Sequence, residues 1–232
     1  MALSRHLRVF AALVLTAGIA AAAAPDGEWA SYRDAYRAMV VFEKYGGPKR
    51  LIQSHLQVMA REKGVPVDGL RLALVGKSTQ LNLPLDATGR AVFPLLKAAY
   101  DENAVLVLNR KASQYVLRPR VSVLVRADGV YEASELRAAC NQALEFVRYA
   151  DASARSLSCA GVRFGYARKG TAPVVRVRNG DTTAALPVGE GAIFSDDPDD
   201  GFRTVLYRFG AVPARGQVVT QEAPLAIAAV FE

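Results

Sequence analysis

Short runs of branched apolar residues, each ended by turn residues, follow one another through most of this chain from Gly69 onward. Typical turn residues separate them, as in the segment from Asp86 to Gly89. Many short strands at close spacing are typical of antiparallel sheets packed as a sandwich. The predicted strands cover residues 70–75, 79–85, 91–95, 104–109, 115–125, 162–166, 174–178, 182–186, 203–209, 217–220 and 225–231.

Two segments have the apolar spacing of amphipathic helices. The first runs from Glu28 to Tyr45 and is followed by two glycines and a proline, which are typical helix stops. The second runs from Glu132 to Ala150, with Ser134 as its predicted cap. Residues 51–61 fit a short turn and then a strand. We therefore expect an α+β fold, mainly antiparallel β and sandwich-like, with an N-terminal amphipathic helix and a central helix.

A faint internal repetition bears on how the strands are organised. The phrase Asn-Leu-Pro-Leu-Asp at residues 82–86 is echoed by Ala-Ala-Leu-Pro-Val at residues 184–188. One interpretation is two β units, residues 24–130 with the first helix and residues 131–232 with the second. One continuous α+β domain is the alternative. Three prolines interrupt predicted strands, which we expect to be edge strands or to bend there: Pro84, Pro94 and Pro119.

The first residues have the order of a secretory signal. Arg5 and Arg8 precede an apolar run that is too short for a membrane anchor, and alanines occupy residues 20–24. We predict that residues 1–23 are a signal peptide, with cleavage after Ala23 or one residue earlier. The mature chain is then periplasmic or secreted and contains no transmembrane segment.

The two cysteines of the sequence, Cys140 and Cys159, both lie in the predicted mature chain. An even number of cysteines in an oxidising compartment favours a disulfide. Closing this loop stabilises the fold by about 3 kcal/mol in the chain-entropy model. Redox pairs usually have two cysteines close together in sequence, so we predict a structural bond.

Charge suggests a candidate binding surface. The chain has a formal charge of +7, and loss of the two signal arginines leaves 27 basic against 22 acidic residues. This excess lacks the clustered stripe of a nucleic-acid-binding protein. Arg118 and Arg120 share one face of a predicted strand, as do Arg176 and Arg178. If the two strands are neighbours, they form an anion-binding face. Ordinary alternation of polar residues towards solvent is the other explanation.

Motifs for catalysis and cofactors are scarce. His55 is the one histidine outside the predicted signal, and neither a His-Glu-x-x-His helix nor a Gly-x-Ser-x-Gly elbow occurs. Gly76-Lys77-Ser78 ends like a phosphate-binding loop but lacks the required earlier glycine, so we interpret it as a hairpin turn. We predict no cofactor.

An acidic run offers the densest set of oxygen ligands for calcium in the sequence. Its spacing does not match an EF-hand loop, and a solvated turn between strands is the simpler interpretation. The candidate ligands are Asp196, Asp197, Asp199 and Asp200.

Two phrases carry a resemblance to a known group of proteins. They are Leu-Val-Gly-Lys-Ser-Thr-Gln-Leu-Asn-Leu-Pro-Leu-Asp at residues 74–86 and Gly-Arg-Ala-Val-Phe-Pro at residues 89–94. Through them the mature chain resembles uncharacterised exported bacterial proteins over most of its length. The resemblance implies a Gram-negative periplasmic setting, and no activity, cofactor or site residue.

The sequence thus favours an exported, non-catalytic binding or scaffolding protein of the bacterial cell envelope. Its partner would be an anionic envelope component or another protein. One alternative is a hydrolase of envelope glycan or peptide that uses two carboxylates about 5 to 10 Å apart. Another is an export chaperone or adhesin subunit, which needs a long exposed sheet edge.

Overall fold

The computed structural model describes residues 28–198, 201–210 and 215–232. Short 3₁₀ turns lie at Ala112–Gln114 and Ala152–Ser156. No helix within these ranges is long and apolar enough to cross a membrane. The helices and strands are, in chain order, β1 (Glu28–Ser31), α1 (Tyr32–Lys44), β2 (Ile52–Ala60), β3 (Leu72–Val75), β4 (Gln80–Leu83), β5 (Arg90–Ala91), α2 (Lys97–Asp101), β6 (Val105–Leu108), β7 (Tyr115–Val123), β8 (Val130–Glu132), α3 (Ala133–Ala150), β9 (Cys159–Tyr166), β10 (Val175–Asn179), β11 (Thr182–Ala185), β12 (Val188–Gly191), β13 (Phe202–Arg208), β14 (Gln217–Thr220) and β15 (Ala226–Phe231).

The described strands form three sheets, and every pairing among them is antiparallel. A seven-stranded sheet has the order β12-β13-β9-β15-β7-β2-β5. Two four-stranded sheets have the orders β1-β6-β3-β4 and β8-β14-β10-β11. This arrangement confirms the expected α+β class with mainly antiparallel strands.

The two four-stranded sheets repeat one plan. In each, an edge strand leads directly into a helix whose first N–H donates to the carbonyl just before the neighbouring strand. Tyr32 donates to Ala104 in this way (3.1 Å), and Ala133 donates to Gly216 (2.9 Å). We call β1 to β7 the first half and β8 to β15 the second half.

The registers of the two small sheets also agree. In the first half Leu72 pairs with Leu108 at the end of β6, and its hairpin partner is Leu83. In the second half Val175 pairs with Thr220 at the end of β14. The carbonyl of Val175 accepts a hydrogen bond from the N–H of Leu186 (2.9 Å). The echoed phrases therefore fold alike, with a Leu-Pro pair ending the hairpin in both halves. Strands from residues 24–130 and from residues 131–232 meet in the seven-stranded sheet.

Helices α1 and α3 cover one face of the seven-stranded sheet, which we call the near face. The disulfide between Cys140 and Cys159 joins α3 to β9, with the two Cα atoms 6.0 Å apart, and confirms the predicted pairing. The far face of the sheet carries the polar side chains of β2 and β7, among them Gln57, Arg118 and Arg120. Successive side chains of a strand point to opposite faces, so these polar side chains lie on the face opposite the helices.

The two halves meet in the sheet at β7 and β15, which in the described part of the chain pair through one bridge, Val123 with Ile227. Leu124 donates its N–H to the carbonyl of Leu51, so the backbone of residue 124 faces β2. The backbones of successive residues in a strand face opposite neighbours, so the backbone of Pro119 faces β15. Proline has no N–H to donate there. The sequence predicted an edge or a bend at Pro119; the structure shows a central strand whose pairing with β15 does not extend to it.

Several local predictions need correction. The first helix starts at Tyr32, because residues 28–31 pair with β6 and Ser31 caps the helix. The second helix starts at Ala133, so Ser134 lies inside it and Glu132 is the cap residue. Of the strand predicted at residues 91–95, only Ala91 lies in a strand, β5, and the helix α2 follows it.

Candidate binding site

A cavity of about 600 Å³ lies where β7 and β15 diverge, beneath α1 and α3. Carbon-rich side chains from both halves form most of its wall, and three polar residues stand at one side, Arg120, Ser195 and Asp196. Its apolar lining residues are Ala38, Val41, Phe42, Pro119, Val121, Ala143, Phe146, Val147, Ala150, Phe194, Ala229 and Phe231.

The helices contribute aromatic rings that connect the halves across the cavity. Phe42 of α1 meets Phe146 of α3 edge to face, with ring centroids 5.1 Å apart. Tyr45 contacts Phe146 at 5.5 Å and Tyr149 at 5.2 Å. Aromatic pairs at these distances attract one another beyond their buried area. The near-face side of the cavity is therefore held by packing between α1 and α3.

On the far face an ion-pair cluster connects the halves. We define it as Arg118 and Arg120 of β7 with Asp196 and Asp197 of the segment after β12. The Asp196 carboxylate lies 2.5 Å from an Nη of Arg118 and 2.7 Å from an Nη of Arg120. Asp197 lies 2.6 Å from the other Nη of Arg120. Gln57 completes the cluster, because it donates to Asp197 (3.1 Å) and accepts from Arg120 (2.7 Å).

The two aspartates differ in exposure. The side chain of Asp197 is 10% exposed, whereas that of Asp196 is 51% exposed. Burial raises the pKa of Asp197, and Arg120 and Gln57 offset this only in part. Burial also acts on Asp196, but the charges of Arg120 and Arg118 lower the pKa of Asp196 below its ordinary value. Asp196 is thus the more accessible of the two carboxylates, and the two arginines favour its ionised form.

A second ion pair, between a buried arginine and an exposed aspartate, supports the far face. Arg90 of β5, whose side chain is 3% exposed, lies 2.8 Å from Asp86. It also donates to Ser122 on β7 (3.2 Å) and to the carbonyl of Leu225 (2.6 Å), a residue of the second half. Burial opposes ionisation of Asp86, but Arg90 and Thr88 lower the pKa of Asp86 overall.

The four predicted arginines do not form one surface. Arg118 and Arg120 lie on β7 in the seven-stranded sheet, whereas Arg176 and Arg178 lie on β10 in a four-stranded sheet. Arg176 and Arg178 are exposed, and Arg178 donates to Gln217 on β14. The two strands are therefore not neighbours, and the condition for one anion-binding face across them is not met. Arg118 and Arg120 converge on carboxylates of the chain itself.

The acidic run provides carboxylates for arginine. Asp196 and Asp197 belong to the ion-pair cluster, and Asp199 and Asp200 lie outside the described residues. In residues 28–198, 201–210 and 215–232, no group of three His, Cys, Asp or Glu side chains could hold a metal ion.

The Gly-Lys-Ser tripeptide and His55 lie apart from the cavity lining. Gly76-Lys77-Ser78 lies in the hairpin between β3 and β4, where Gly76 donates to Thr79 (2.7 Å), as predicted. His55 lies on β2 opposite Arg120. Its Nδ1 is buried and has no hydrogen-bond partner in the described part of the chain.

From the sequence, Arg118 and Arg120 were predicted to bind anions and the acidic run was considered for calcium, and no contact between the two was predicted. Opposite charge is the property that relates the two sets. The cavity itself follows from the divergence of β7 and β15, for which Pro119 was the available signal. No protein-family model, curated protein or solved structure matches this chain.

Proposed function

We propose that this protein is a non-catalytic binding protein of the bacterial cell envelope that takes an unbranched alkyl chain into the cavity between its halves. The observation that carries the proposal is the cavity of about 600 Å³ with its mainly apolar wall. Small-molecule sites are concave, mostly apolar and roughly 300 to 1,000 Å³ in volume. An alkyl chain is the ligand class that such a wall binds without hydrogen bonds.

A location outside the cytoplasm is part of the proposal. The disulfide supports it, because such bonds persist in oxidising compartments. The signal-like order of residues 1–24 also supports it, although these residues lie outside those described.

The carboxylates give less support to a hydrolase. General acid and base groups flank a substrate from separate positions, at least about 5 Å apart. Asp196 and Asp197 are consecutive residues, and both are bound to Arg120. Binding therefore accounts for the site better than catalysis does.

The first test is a chain-length series of octanol, decanol and dodecanol, measured by isothermal titration calorimetry or by displacement of a fluorescent apolar probe. Each buried methylene contributes about 0.8 kcal/mol, which is about fourfold in Kd. We expect Kd to fall with each added carbon until the cavity is filled. Affinity that does not depend on chain length would contradict the proposal.

A variant that fills the cavity tests the location. Ala38 on α1 is half-buried and lines the cavity, so Ala38→Trp should abolish dodecanol binding. Ala138→Trp is the matched control, because Ala138 is a half-buried helical alanine that is not among the lining residues of this cavity. Equal loss in both variants, with both still folded, would place the binding elsewhere.

A further inference from the structure

We infer that the ligand is a long-chain monocarboxylate, and that the Asp196 side chain holds the place of the ligand's carboxylate on Arg118 and Arg120. This inference rests on the proposed function and identifies the polar end of the ligand. It makes Asp196 an internal competitor that the ligand displaces.

The geometry around Asp196 is that of a carboxylate-binding site. Arg118 and Arg120 are alternate residues of β7, so both side chains project from the far face. One Nη of each lies on a different oxygen of Asp196, at 2.5 Å and 2.7 Å. Charge-assisted hydrogen bonds from guanidinium to carboxylate are short and strong, and here each arginine supplies one of them. The site recognises a carboxylate, whichever molecule supplies it.

Asp196 is the replaceable member of the ion-pair cluster. Its side chain is half-exposed, and its partners are the two arginines. Asp197 is buried between Arg120 and Gln57 and is fixed by both. Displacing Asp196 into solvent leaves two arginines and Asp197, with a net charge of one. A monoanionic head group restores neutrality, which a buried cluster requires. A dianionic phosphate would leave the cluster with a net negative charge.

The cavity and the arginines are continuous. Arg120 and Asp196 line the same cavity as Pro119 and Val121. The Phe194 ring lies 4.4 Å from the Arg120 guanidinium and also lines the cavity. An alkyl chain inside the cavity can therefore extend to the Arg120 guanidinium and to the Asp196 carboxylate that it binds. A fatty acid has this combination of an apolar chain and one terminal carboxylate.

The test compares laurate with dodecanol, which have the same total number of carbon atoms, on the full chain and on Asp196→Asn. Removing the internal competitor should tighten laurate binding by about tenfold or more, as when a site occupied for nine-tenths of the time becomes free. Dodecanol affinity should change by less than twofold. Adding Arg118→Gln to Asp196→Asn should reverse the gain for laurate.

Asp128→Asn is the matched control. Asp128 is 53% exposed and pairs with Arg126 at 2.9 Å, so this change removes a similar surface ion pair outside the cavity lining. If Asp196→Asn and Asp128→Asn bind laurate equally while dodecanol still binds, the carboxylate inference is overturned and the proposed function stands. If neither ligand binds any folded variant, the proposed function itself is wrong.

Discussion

The two halves of this protein share one plan but differ in what they bring to their junction. Both have an edge strand that leads into a long helix, and both have a four-stranded sheet of equivalent order. The first half supplies Arg118 and Arg120, and the second supplies Asp196 and Asp197. The cavity also has walls from both halves. The candidate site therefore belongs to the junction, and neither half contains it alone.

The far face of the second half is built to accept the segment that carries the aspartates. Small residues, Gly165, Ala226 and Ala228, occupy the sheet there, and Ile193 packs against this surface. A Cβ atom at Gly165 would lie 2.3 Å from the Ile193 side chain. In the first half the corresponding face carries long polar side chains on β2 and β7. This difference lets the second half deliver carboxylates to the arginines of the first.

The largest expected effect is on stability and concerns the disulfide, which only the second half contains. Both cysteines lie in the second half, and replacing Cys140 and Cys159 with serine should lower the free energy of unfolding by about 2 to 5 kcal/mol. Urea denaturation should be followed by far-UV circular dichroism and by fluorescence of Trp29, the one tryptophan, which packs in the first half. Coincident transitions would show that the halves unfold together. An unchanged midpoint in the variant would contradict a structural role for the disulfide.

The next effect compares the two aspartates at the junction. Asp197→Asn should cost about 3 kcal/mol, because it leaves the buried Arg120 short of a partner. Asp196→Asn should cost less than about 1 kcal/mol, because that side chain is half-exposed. Chemical denaturation of both variants measures the difference. Equal losses would mean that the junction is held by total charge and not by the buried pair.

Sequence reasoning succeeded where the information is local. The strand pattern and the amphipathic helices depend on neighbouring residues, and the predicted strand at residues 217–220 matches β14 in full. The short strand β12 was missed, although its partner β13 is the next strand. The short strands β1 and β8 were also missed, because partners far along the chain define them. The same reason applies to the site. Asp197 is 77 residues from Arg120, and no spacing rule connects them.

A smaller effect tests the close approach in the second half. Gly165→Ala should cost about 1 to 3 kcal/mol, because the added methyl group overlaps the Ile193 side chain and displaces the segment with the aspartates. Gly189→Ala on β12 is the control, since its Cβ would meet no atom closer than 3.9 Å. Thermal unfolding of both variants gives the comparison. A tolerated Gly165→Ala would show that this segment adjusts freely.

The smallest effect concerns the first half and pH. Burial, followed by the positive charge of Arg90, lowers the pKa of His55 below 6.5, while Asp86 opposes this shift. The folded state therefore favours the neutral imidazole, and the unfolded state binds the extra proton first. Stability should be level above pH 7 and should decline as the pH falls from 6.5 through the lower folded pKa. His55→Gln should remove this decline between pH 5 and 7 and leave the fall at lower pH, where Asp86 and Asp196 become protonated. Denaturation midpoints across this range measure it. A decline that persists in His55→Gln would assign the titration to another group.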